Sequence, residues 1–230
     1  MDSRMAKEEG LEIQKLQEAA VSFEAAENLL VCRLLSKEKN RDALDRGPLK
    51  RHPMGAVLLF LEADGPGEKK VDLQVTHQMA QRWGQTEKAL FDRAFQNTWE
   101  KNQPKFRGLW GIIHGIEQEE PGQKDSVSSY VLTNQSRQYG ATMILYPDIL
   151  KDIREKLGDD FYVLPSSVHE LLIKPKTAEE RSVKELERMV WEVNREVVGK
   201  RDFLSDHIYE YRAQEDVLKK VRTGRAEPIR

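Results

Sequence analysis

The chain has 230 residues, 39% apolar and 33% charged, with 37 basic against 39 acidic side chains and a formal net charge of −2. A chain of this length buries roughly 70% of its unfolded surface, and its apolar content sets it apart from disordered polymers. Balanced charge offers no electrostatic footprint for nucleic acid, and a single cysteine, Cys32, excludes an internal disulfide. No apolar run approaches the roughly 18 residues that span a bilayer, and MDSRMAKEEG has no apolar core of a signal peptide. A cytoplasmic location without membrane contact is expected.

In chain order, Leu11, Leu16, Ala20, Phe23 and Ala26 recur at helical intervals, so a helix is expected within residues 11–27, as an N-terminal element of its own over 1–27. LLVCRLL at 29–35 reads as a strand, with Cys32 a small core residue rather than a reactive thiol. A charged connection follows, ending in Gly47-Pro48. Met54–Ala63 is nearly continuous apolar, as in a strand buried on both faces. The turn Asp64-Gly65-Pro66-Gly67 makes it a hairpin with 71–76. HQMAQRWG is helical, and Thr86 caps a helix over 87–101 whose apolar face is Leu90, Phe91, Ala94 and Phe95. Residues 103–125 fit neither period and read as irregular, with room for a short helical turn in FRGLWGIIHGI; 117–127 is a surface loop and a seam between two halves.

Tyr130–Thr133 and Ala141–Leu145 read as two antiparallel strands joined by a loop in which Gly140 supplies a positive φ. Pro147 opens a helix that Gly158 closes. FYVL is a strand, Pro165-Ser166-Ser167 a break, and Val168–Ile173 a further strand or a helical turn followed by one. Residues 178–198 form the clearest helix, with Val183, Leu186, Val190, Val193 and Val197 on one face and Gly199 at its end. Asn194 falls on that face, where an unpaired amide costs roughly 1–3 kcal/mol, so it calls for a buried partner unless the face opens to solvent there. Phe203–Tyr211 is a turn and a last strand, and 212–230 a short helix with a basic tail carrying Lys219, Lys220, Arg222, Arg225 and Arg230.

The polar residues that suggest chemistry are Ser166, Ser167, His169, Glu170, Asp206 and His207. His169-Glu170 begins a zincin-like phrase, but the second histidine that would meet the metal from the same helix face is replaced by Ile173. His207 could supply only a distant ligand, so no metal is expected. Ser166 and Ser167 beside His169 suggest a hydrolase, with Asp148, Asp206 or Glu170 as orienting acid, yet the G-x-S-x-G elbow is absent. A serine-rich turn satisfying backbone groups is the plainer reading. No phosphate-binding glycine loop occurs: Gly108, Gly111 and Gly115 match neither pattern, and no cofactor is implied.

The phrases YVLTN, YGATMILYPDILKDIREKLGDDFYVLPSSVHELLI, MVWEVN and FLSDHIYEY, with upstream pieces LLSKEKNRDALDRGPLKRHP and WGQTEKALFDRAFQNTW, resemble a bacterial family of unknown function common in intestinal anaerobes. The resemblance spans residues 28–211 and implies a further N-terminal segment in family members. It marks Asn134, Gly140, Pro165, Ser166, Ser167, His169, Glu170, Asn194, Ser205 and Asp206 as motif positions without assigning any a role, and it implies no reaction. The expectation is an α+β fold in which an antiparallel-rich sheet is covered by the helices near 87–101, 147–158 and 178–198, forming one domain over 28–211. The functional expectation is a non-enzymatic binding or regulatory protein whose partner is another protein. A Ser166/Ser167–His169 hydrolase, and nucleic-acid association through the basic tail in a mobile-element or phage-defence setting, are the alternatives.

Overall fold

A computed structural model describes residues 3–65, 70–115, 129–158, 160–176 and 181–221. The expected seam at 117–127 and the tail beyond 221 lie outside them. Within 28–211, read above as one domain, the chain packs as two compact units: Met1–His52 with Ala56–Gln103, and Pro53–Gly55 with Pro104–Arg230. The class is α+β, with the strands divided between two antiparallel sheets.

In the first unit α1 (Ser3–Val21) and α2 (Phe23–Ala26) are separated at Ser22, whose extended backbone interrupts the helix expected over 11–27. Then come β1 (Leu30–Leu35), α3 (Arg41–Leu44), β2 (Leu49–His52), β3 (Gly55–Asp64), β4 (Lys70–Gln74), α4 (His77–Arg82) and α5 (Glu87–Lys101). The charged connection holds a helical turn, α3, and a short strand, β2, follows the Gly47-Pro48 stop. β3 lies between β1 and β2 and also pairs with β4. Leu30 faces Leu61 in one register and Leu61 faces Leu73 in the other.

β1 would leave backbone groups unpaired at the sheet edge, a liability that proteins cover. α5 covers it with polar side chains. Cys32 N–H donates to Thr98 Oγ1 (3.0 Å), and Asn97 Nδ2 donates to the carbonyl oxygens of Leu30 (2.9 Å) and Glu27 (2.6 Å). Burial pushes the Cys32 thiol up to about 12, so it stays protonated and inert, as its place in an apolar run suggests.

Among the described residues of this unit, two charged side chains are buried, Arg33 and Glu62. Arg33, 3% exposed, donates to Glu62 (2.7 Å) and Asp72 (2.6 Å), which face each other across β3 and β4. Two carboxylates directly opposite repel; the forked guanidinium between them turns repulsion into attraction. Lys70 adds a longer contact to Glu62 (3.6 Å).

The second unit comprises β5 (Pro104–Gly108), α6 (Leu109–His114), β6 (Tyr130–Asn134), a 3-10 helix (Gly140–Leu145), α7 (Pro147–Leu157), β7 (Phe161–Pro165), β8 (Leu171–Pro175), α8 (Val183–Glu196), β9 (Tyr209–Arg212) and β10 (Val217–Lys220). Its six strands are ordered β10-β9-β7-β8-β6-β5. α8 lays Leu186 and Val190 against Leu164 and Ile208, and Phe161 stacks on Tyr211 across β7 and β9 with centroids 4.9 Å apart.

Several expectations are corrected here. Residues 104–108 are not irregular: Pro104 begins an edge strand, where its missing N–H is harmless; the short helical turn expected in this stretch is α6, which Gly115 ends in the left-handed region (φ 70°). Ala141–Leu145 is not a strand but part of the 3-10 helix, buried from Gly140 to Ile144; an apolar run buried all round has no period to read. The expected short helix after residue 211 is the β9–β10 hairpin, whose turn ends at Asp216 (φ 50°) bonded to the Tyr211 hydroxyl (2.6 Å). α8 begins at Val183 because Ser182 and Glu185 form a reciprocal capping box, and it ends at Glu196, before Gly199. Residues 177–180 of the expected helix lie outside the described residues.

Replacing Arg33 with Ala leaves two facing carboxylates without their shared cation, and urea denaturation should show a loss of about 3–5 kcal/mol. Arg33→Met combined with Glu62→Met should recover most of it. A second expectation concerns His52, whose imidazole is pushed down from 6.5 to about 4 by burial and by the charge of Lys37. The unfolded chain therefore takes up this proton at a higher pH than the folded one. Stability is fully present above pH 6.5 and falls as pH drops through 4, by about 3 kcal/mol in all. Denaturation midpoints of wild type and His52→Gln across that window should diverge, the variant showing the flatter profile.

Candidate functional site

Four of the residues singled out in the sequence, Ser166, Ser167, His169 and Glu170, occupy one hairpin loop. β7 and β8 pair as far as Pro165 opposite Leu171, and the connection Ser166–Glu170 is closed by Ser167 N–H donating to the Glu170 carbonyl (3.2 Å). Ser166 Oγ donates to Glu170 Oε1 (3.2 Å), and Ser167 Oγ accepts from the His169 N–H (3.0 Å). Each hydroxyl thus serves the turn itself, as serine does in such loops.

Two other segments close on this loop. After β6 the chain turns tightly: Asn134, 2% exposed, donates to the Gln138 carbonyl (2.8 Å) and accepts from Ser136 Oγ (3.2 Å). Arg137 (φ 56°) and Tyr139 (φ 53°) are then left-handed without being glycine, a conformation that L-residues adopt only at a cost. The Tyr139 N–H points at His169 Nδ1 (3.1 Å), with the two rings 5.5 Å apart. From the other side the turn before β9 supplies Asp202, whose carbonyl accepts from Val168 N–H (2.7 Å) and whose Oδ1 meets His169 Nε2 (3.2 Å).

The network assigns the tautomer. A nitrogen that accepts from a backbone N–H has no proton of its own, so in the neutral ring the proton is on Nε2 and points at Asp202. A serine base needs a ring nitrogen with a lone pair aimed at the hydroxyl. Here the Nδ1 lone pair is taken by Tyr139, and the Ser167 hydroxyl bonds to the His169 backbone instead.

Gly140 is required by proximity and not, as expected, by a positive φ. A Cβ there would run into the Thr133 hydroxyl and lie 2.5 Å from the His169 carbonyl oxygen and 2.8 Å from the Asn134 amide nitrogen. Ala141 N–H donates to the Val168 carbonyl (3.2 Å), seating the start of the 3-10 helix on the loop, and Thr133 Oγ1 on β6 donates to the His169 carbonyl (2.8 Å).

Asp206 and His207 have other partners. Asn194 on α8, 7% exposed, donates to the Ser205 carbonyl (3.0 Å) and to Asp206 Oδ1 (2.9 Å), the buried partners its position requires. Ser205 Oγ pairs with the Tyr209 hydroxyl (2.9 Å) and accepts from His207 N–H (3.1 Å), while His207 Nε2 lies 2.9 Å from Lys220 Nζ. Asp148 stands exposed in the first turn of α7. A cleft of about 360 Å³ lies between the end of α7 and the β9–β10 turn, lined by Arg154, Asp160, Arg212 and Glu215 and by none of the candidates. No group of three potential metal ligands occurs among the described residues, and no helix among them is long and apolar enough to cross a membrane.

Sequence reasoning missed Tyr139 and Asp202, which no local pattern marks. It also missed the buried pair Lys174 Nζ to Ser129 Oγ (2.7 Å) on β8 and just before β6; the lysine closing the apolar run LLIK was its one visible signal.

A model of a family of unknown function, DUF5688, matches residues 3–213. The chain belongs to that family. The match reaches further towards the N-terminus than the resemblance over 28–211 and takes in both units. No similar curated protein and no similar solved structure is found for the chain. At LPSSVHE the geometry is one of turns fastened to turns.

Gly140→Ala should be poorly tolerated, because two of the atoms in the way belong to backbone and cannot swing aside. Thermal unfolding should report a loss of roughly 1–3 kcal/mol, against a change within about 0.5 kcal/mol for a substitution at exposed Gln138.

Proposed function

We propose that this DUF5688 protein acts by binding another protein in the bacterial cytoplasm and catalyses no reaction at its polar cluster. The observation that carries this reading is the commitment of His169: one ring nitrogen accepts from Tyr139 N–H and the other faces Asp202, leaving neither for the serines. The hydrolase alternative needs that base. The nucleic-acid alternative is weakened at Lys219, which is paired with Glu215.

For the contact surface we favour the outer face of α8. Trp191 is 46% exposed there, with the Arg195 guanidinium 3.7 Å from its ring centroid. Tryptophan and arginine are the side chains most enriched at the energetic centres of protein interfaces, and a stacked guanidinium holds the indole ready at low entropic cost.

Two measurements test this. Trp191→Ala should leave the unfolding midpoint within about 0.5 kcal/mol of wild type, yet reduce by at least tenfold the recovery of proteins crosslinked to the wild-type chain in its own cells, as a truncated hot spot costs upwards of about 2 kcal/mol. A fluorophosphonate probe should fail to label the protein. Labelling that disappears in Ser167→Ala or Ser166→Ala would establish the hydrolase reading instead.

A further inference from the structure

We infer that His169 is a proton-operated latch for the strained segment Gln135–Tyr139. Three observations meet there. First, the segment holds two of the non-glycine residues with positive φ, Arg137 and Tyr139, each in a conformation that must be held by its surroundings. Second, His169 Nδ1 holds Tyr139 through its backbone N–H at 3.1 Å, an arrangement open only to a ring unprotonated at Nδ1. Third, the His169 side chain is 34% exposed, so solvent protons reach it.

The two nitrogens answer protonation in opposite ways. Nε2 carries a hydrogen towards Asp202 Oδ1 in both states, and the bond becomes charge-assisted in the imidazolium. Nδ1 changes from acceptor to donor. Its new N–H then confronts the Tyr139 N–H, two donors with no acceptor between them. The proton taken from solvent thus tightens the bond to Asp202 and frees the Tyr139 N–H.

Charged groups of both signs stand near the ring. Asp202 faces it from the turn before β9, flanked in sequence by Lys200 and Arg201, and Glu170 shares its loop. Arg137 is in the strained segment itself. The 3-10 helix GATMIL and the strand YVLTN contribute no ionisable acid or base beyond the Tyr130 phenol. Val168 N–H to the Asp202 carbonyl, Ala141 N–H to the Val168 carbonyl, Thr142 N–H to the Tyr139 carbonyl (3.0 Å) and Asn134 Nδ2 to the Gln138 carbonyl (2.8 Å) are bonds that no proton on His169 alters, so the loop, the 3-10 helix and the turn stay seated while the Tyr139 amide is released. The latch stands whether or not α8 binds a partner.

The test is residue-resolved amide exchange by NMR on the full chain, corrected for intrinsic pH dependence, with imidazole protonation followed on the same samples. As His169 protonates, protection of the Tyr139 amide should fall about tenfold, the worth of one net hydrogen bond. Val163 and Ile173 on β7 and β8 should keep theirs. In His169→Gln the carboxamide oxygen can accept from Tyr139 while its NH2 donates to Asp202, so protection should persist across the same pH range. Persistent protection at Tyr139 with the ring protonated overturns the latch, and so does loss of protection in His169→Gln at the wild-type pH. Should that variant not fold, the wild-type titration decides alone.

Discussion

The bond from the Tyr139 N–H to His169 Nδ1 is the constraint on which the polar cluster at the β7–β8 loop depends. A backbone N–H is a donor that cannot change its sign, so it dictates the protonation of the nitrogen it meets. With Nδ1 bare, Nε2 must carry the proton, and only an acceptor can stand opposite it; Asp202 does. Asp202 in turn brings its own carbonyl to Val168, which fastens the turn ahead of β9 to the β7–β8 loop. One fixed donor therefore sets a tautomer, a partner and the docking of three chain segments.

Close backbone approach completes what the ring begins. Gly140 lets the 3-10 helix come within reach of the His169 carbonyl and the Asn134 amide, where a methyl group has no room. That proximity forces the preceding residues to reverse direction over a very short span, and Arg137 and Tyr139 reach the left-handed region as a result. The cost of each such residue is of order 1–3 kcal/mol, offset by buried bonds such as those of Asn134, which satisfies Gln138 and Ser136 from a nearly inaccessible position.

What could be read from the sequence follows from where its information is local. Thr86, Pro147 with Gly158, and the run Met54–Ala63 announce a cap, a helix from start to stop, and a buried strand, because each depends on neighbours within a few residues. The Ser182–Glu185 box was equally visible and would have placed the start of α8 better than apolar spacing does. Ala141–Leu145 was unreadable for a physical reason: burial on every side removes the alternation that separates strand from helix. Pro104–Gly108 and Val217–Lys220 are edge strands whose identity comes from partners distant in sequence or from a turn. The site was legible in half: LPSSVHE stood out, but Tyr139 and Asp202, which decide what the histidine does, are set by tertiary contact alone.

The same residue types serve turns and catalysis, and for the same reason. Serine, histidine, glutamate and aspartate place compact donors and acceptors on short side chains, which is what a tight loop needs for its own backbone and what an active site needs for a substrate. Composition cannot separate the two uses; direction can. In a catalytic arrangement, acceptor lone pairs and mobile protons converge on open space where a reacting atom would sit. Around His169 they converge on the chain: Nδ1 on a backbone N–H, Ser167 Oγ on another, and Nε2 on a carboxylate whose own residue also bonds through its carbonyl. The first unit meets a similar demand differently. It buries Arg33 between carboxylates and leaves a permanent charge in the sheet, where the second unit uses a group that can be neutral. A permanent ion pair gives rigidity that does not respond to its surroundings. A neutral ring held by one invariant donor gives rigidity on one condition, that no proton arrives, and this makes the LPSSVHE loop the place where the fold can answer a chemical signal without unfolding.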